Sequence, residues 1–123
     1  MRQCLVLIFA AAFACAGMSL TASAHGALAS STPASGSEQA SAPTALQLKF
    51  SESLELKFSG VTLTGPDKKS VATGPAALVP GSDHSLDVPI TGTMPAGKYA
   101  VHWHVLSKDG HKTKGTYTFT VKP

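Results

Sequence analysis

The sequence predicts an all-β domain, a Greek-key β-barrel or sandwich of about seven short strands. Three observations lead there. Apolar and polar residues alternate over short runs in several places. Turn residues punctuate those runs. Beyond residue 24, no stretch carries a helical stripe of useful length.

In chain order, the first element is a short strand. The 35–45 region that follows is rich in Ser, Ala, Gly and Pro and reads as a loop. LQLKF (46–50) sets Leu46, Leu48 and Phe50 against Gln47 and Lys49, the period of a half-buried strand. GVTLTGPDKKSVATG (60–74) reads as strand, turn, strand: Val61 and Leu63 point one way, and Gly65-Pro66-Asp67 is turn chemistry. HSLDVPI (84–90) alternates again through Leu86, Val88 and Ile90. The clearest hairpin is the last segment, 94–121. There Tyr99, Val101, Trp103 and Val105 share one face, and Tyr117, Phe119 and Val121 share the matching face of the next strand. Trp103, in an inward row, is expected to anchor the core.

Residues 1–24 read as a cleaved signal peptide. Arg2 gives the positive start, CLVLIFAAAFACA an apolar stretch short for a membrane span, and Ala22-Ser23-Ala24 the small-x-small cleavage site. A polar segment ends the apolar run early, which argues against an uncleaved anchor. Ala12-Phe13-Ala14 is a poor lipobox for a lipid-modified Cys15. Export to the periplasm is the expectation, with a single domain over 25–123.

Both cysteines, Cys4 and Cys15, lie in the leader. The domain therefore stands on packing without a disulfide, and any metal must be held by nitrogen, oxygen or thioether donors. Without Arg2 the chain has nine lysines against seven carboxylates, a net charge of +2. No basic block or aromatic–basic interleaving accompanies it, which excludes nucleic acid as a partner.

The histidines are His25, His84, His102, His104 and His111. His84, in PGSDHS, reads as a solvated loop residue. His102 and His104 flank Trp103 and face away from the apolar row; such a pair can hold a metal or can simply be exposed, with His104 the better candidate. SKDGH sets Asp109 and His111 on either side of Gly110, so a tight turn can aim one carboxylate oxygen and one imidazole nitrogen at a common point.

Cleavage after Ala24 makes His25 the first residue. Its free α-amine and ring Nδ1 close a six-membered chelate on one metal. With Asp109 and His111 the set becomes three nitrogens and one oxygen, which suits the tetragonal preference of Cu(II). Zinc favours a tetrahedral set, and calcium or magnesium more oxygen. The amine and imidazoles bind only when deprotonated, so affinity should fall on acidification.

Several stretches together resemble the CopC family of periplasmic copper-binding, copper-resistance proteins, and within it the short YobA-like members. They are His25, SSTPASGS (30–37), LKFSESLE (48–55), FSGVTLTGP (58–66), YAVHWHVLSKDGHKTKG (99–115) and YTFTV (117–121). The resemblance implies a cupredoxin-like Greek-key β-barrel holding Cu(II) near one end through His25, Asp109 and His111. It puts Glu52 where some members carry an acidic residue beside the copper, as a ligand, an axial group or a hydrogen-bonding partner. It also implies a copper-homeostasis role, with an inner-membrane transporter of the CopD type as a partner and the protein acting as a monomer. Some members bear a methionine-rich Cu(I) site; here Met94 is the one methionine after the leader and reads as a packing or loop residue.

Two other readings compete. An N-terminal histidine with a second histidine on copper resembles the histidine brace of copper mono-oxygenases. Against that, Asp109 would fill a position oxygen chemistry needs open. The other is a metal-free immunoglobulin-like scaffold, in which the histidines are incidental.

Overall fold

The computed structural model describes residues 28–123. The expected leader, 1–24, and His25 lie outside the described residues. Among the described residues nine strands form two sheets. The first sheet contains β1 (Leu28–Thr32), β3 (Ala45–Phe50), β7 (Ser85–Pro89) and β6 (Ala77–Leu78), in the order β1-β3-β7-β6. The second contains β2 (Glu38–Gln39), β9 (Lys112–Val121), β8 (Gly97–Leu106), β4 (Gly60–Thr64) and β5 (Ser70–Val71), in the order β2-β9-β8-β4-β5. The chain crosses between the sheets after β1, β2, β3, β5 and β7, the Greek-key sandwich the alternation predicts.

All seven expected strands form. The two additions, β2 and β6, are two residues long, too short to show a period. β2 lies inside the 35–45 region read as loop and runs parallel to β9, pairing Glu38 with Thr120 and Gln39 with Val121. Among the described residues the one helical element is a single 3-10 turn, Leu56–Phe58.

The core is the set of inward rows. Leu46, Leu48 and Phe50 of β3, with Leu86 and Val88 of β7, meet Val61 and Leu63 of β4 and the rows Tyr99–Val105 and Tyr117–Val121. Trp103 is buried, as expected, its ring edge-on to Phe50 at 5.1 Å between centroids. Its cross-strand partner is Gly115, where a Cβ would come within 2.5 Å of the indole. The missing side chain makes room for the ring. Tyr99 stacks on Phe119 at 5.6 Å. Met94 packs partly buried against this cluster, the packing role expected of it.

β8 and β9 pair over ten residues each, from Gly97↔Val121 to Leu106↔Lys112. This long ladder carries the turn 107–111 to one end of the sandwich. Leu28, the first described residue, pairs with Phe50, so β1 begins beside the segment 51–55. That segment is tied to the 107–111 turn through the Leu54↔Ser107 bridge and through the Lys108 N–H, which donates to the Ser53 carbonyl at 2.9 Å.

Candidate metal centre

The turn that joins β8 to β9 is built by its sequence. Gly110 N–H donates to the Ser107 carbonyl at 2.9 Å, and Ser107 N–H donates to the His111 carbonyl at 2.9 Å. This is the three-residue hairpin loop that needs a left-handed residue before the strand resumes, and Gly110 supplies it with φ +94°. No neighbour lies within 4 Å of where a Gly110 Cβ would sit, so glycine is required for its backbone angle and not for space.

Asp109, at the tip, is held from both sides. Its Oδ1 accepts the Ser107 hydroxyl at 2.5 Å and the His111 N–H at 3.1 Å. Its Oδ2 lies 2.9 Å from His111 Nδ1. The two side chains are 45% and 58% exposed, open to an incoming ligand. The Ser107 hydroxyl, then the His111 ring and backbone N–H, hold the Asp109 carboxyl well below the usual carboxylate range. Asp109 is thus a carboxylate at every physiological pH, as a metal ligand must be.

The structure brings Asp109 and His111 together, with Glu52 close enough to act on the Asp109 carboxyl. Among the described residues no three His, Cys, Asp or Glu side chains converge as a metal cage. His104 does not join the pair: its ring leans over Gly60 on β4, with Cε1 2.7 Å from where a Cβ would stand. His102 leans the other way, its Nδ1 3.1 Å from Thr116 Oγ1 on β9. Both face outward and are exposed.

His84 lies in a loop, as expected, but it is half-buried and its loop adjoins the site. Asp83, one residue before it, accepts from Ser53 and lies 3.2 Å from His84 Nδ1 and 3.8 Å from Lys108 Nζ. Those contacts hold the Asp83 carboxyl below its ordinary value, Ser53 contributing most. Leu54 N–H donates to the Asp83 carbonyl at 2.8 Å. Segments 51–55, 83–84 and 107–111 therefore form one end surface. The role of Asp83 and Ser107 in it escaped sequence reading; a serine two residues before an aspartate in a D-G-H turn is the one signal that could have pointed to Ser107.

Comparison with known proteins fits this architecture. The CopC domain family model matches residues 28–122. YobA of Escherichia coli K12 is 44% identical over 99 residues, covering 80% of this chain and 80% of YobA. Copper resistance protein C of Escherichia coli is 41% identical over 112 residues, covering 86% and 88%. The crystal structure of CopC from Methylosinus trichosporium OB3b superposes with a TM-score of 0.74 at 29% identity, covering 80% of this chain and 95% of that one. A family match over nearly the whole described domain, on the same two-sheet fold, establishes that the chain belongs to the CopC family.

Proposed function

We propose that the chain is exported, cut after Ala24, and binds Cu(II) in the periplasm through the α-amine and ring of His25 together with Asp109 and His111. It holds copper for homeostasis or resistance, or for delivery to an inner-membrane transporter of the CopD type, by equilibrium binding without turnover. The copper names of its relatives support the choice of metal.

The observation that carries this reading is the 2.9 Å separation of His111 Nδ1 and Asp109 Oδ2. Two donors about 2.0 Å from one ion lie about 2.8 Å apart at the right angle of a tetragonal site, and about 3.3 Å apart at the tetrahedral angle. The contact is itself of hydrogen-bond length, so the two atoms are close enough to share one ion once the proton between them leaves and the ring turns its lone pair toward that ion. Position supports the remaining donors. β1 starts at Leu28 opposite Phe50, and His25 is three residues earlier, a reach of about 10 Å of extended chain. Glu52, two residues past Phe50, lies close enough to act on the Asp109 carboxyl.

The test compares Cu(II) binding by the cleaved protein, by His25→Ala and by a version with one extra N-terminal residue. Both variants should lose affinity by more than about a hundredfold, since even neighbours of ligands are worth ten- to a hundredfold. Unchanged binding in either would overturn the assignment of His25. Mass spectrometry of the exported protein should show an N-terminus at residue 25.

A further inference from the structure

We propose that Ser107 is the positioning residue that makes Asp109 a one-oxygen ligand, holding Oδ1 inside the protein and presenting Oδ2 to the metal. The inference rests on the reading of this turn as the copper site and names how the protein sets the coordination there.

Ser107 is only 1% exposed, and among the described residues it is the one polar side chain buried in the core. A buried hydroxyl is costly to place unless it has a partner. The partner is Asp109 Oδ1 at 2.5 Å, the length of a strong charge-assisted bond. The His111 carbonyl lies 3.1 Å from the same Oγ. The hydroxyl has one proton, and the shorter, ionic contact takes it. His111 N–H adds a second donor to Oδ1 at 3.1 Å. Oδ1 is therefore occupied twice, while Oδ2 is the oxygen that faces His111 Nδ1 at 2.9 Å. The backbone of Ser107 closes the hairpin on both sides, through Gly110 and His111, which fixes the point from which its side chain reaches Oδ1.

The consequence is selectivity. A carboxylate that spans an ion with both oxygens suits large oxygen-seeking cations such as Ca(II). A single oxygen leaves the coordination plane to the nitrogens, which suits Cu(II).

The test uses the cleaved protein with Ser107→Ala, and the shape-matched pair Ser107→Thr and Ser107→Val. Cu(II) affinity is read by competition with a chromophoric chelator. Coordination is read by electron paramagnetic resonance and by infrared difference spectra on protein labelled with carbon-13 aspartate. Ser107→Ala should weaken Cu(II) binding about ten- to a hundredfold, shift the copper spectrum and narrow the splitting of the Asp109 carboxylate stretches toward the two-oxygen pattern. Thr should bind like the parent and Val like Ala. Should Ala loosen the turn, seen as lost protection of the Gly110 amide without metal, the Thr–Val difference decides. Unchanged affinity and carboxylate bands in Ser107→Ala, or equal binding by Thr and Val, overturn the proposal. Asp109→Ala and His111→Ala separate the two readings: if neither weakens binding, the metal site itself fails, and if both do while Ser107→Ala does not, only the role of Ser107 fails.

Discussion

Asp109 shows how much a single residue's neighbours decide. Its carboxyl is held below the ordinary range, first by Ser107 and then by His111. The folded protein therefore gives up this proton more readily than the unfolded chain, whose reference value is about 3.9. The stability so gained is complete above that value and is lost as pH falls through it toward the lowered folded one. Thermal unfolding of the metal-free protein should be insensitive to pH down to about 5 and should weaken below about 4. Asp109→Asn should flatten that decline. In Ser107→Ala, a carbon-13 NMR titration of the metal-free protein should find the Asp109 carboxyl raised toward the ordinary range. Asp109 and His111 were readable as a pair from SKDGH. Which oxygen faces which nitrogen was not, because that depends on a serine whose burial is a property of the whole sandwich.

At the scale of elements, the β8–β9 hairpin carries the site on its connecting turn and a core row along the inward face of its ladder. Two glycines permit it, for different reasons. Gly110 supplies a left-handed angle, so Gly110→Ala should cost about 1–2 kcal/mol in denaturant unfolding and weaken copper binding with it. Gly115 supplies space under Trp103. Gly115→Ala forces a methyl to 2.5 Å from the indole and should cost about 1–3 kcal/mol, with a shifted tryptophan fluorescence maximum and copper affinity largely retained. The long strands were legible because period-2 alternation persists over five or more residues. β2 and β6 were not: two residues cannot carry a period, and backbone pairing holds β2 to the distant β9 and β6 to the following β7.

For the whole molecule, binding to the folded state alone should raise stability by mass action. At free copper a hundred times the dissociation constant the gain is about 2.7 kcal/mol. Thermal scans with and without Cu(II) should show that rise for the chain beginning at His25, and little of it for the chain carrying one extra N-terminal residue. The sandwich itself was legible because its inward rows are written in order along the chain. The end surface was not, because segments 51–55, 83–84 and 107–111 are brought together only by the crossing of strands between sheets.

The start of β1 opposite Phe50 has a mechanical consequence. An ion held by His25 and by the turn at 109–111 would fasten the beginning of the chain to a point roughly eighty-five residues later. In a domain without a cysteine, that is a reversible staple across nearly the entire chain. Unlike a permanent cross-link it does not constrain the unfolded chain, so its worth is set by copper concentration and affinity. Pulled from its two ends, the loaded protein should resist unfolding as a closed ring does, and acid or a chelator should open it at once.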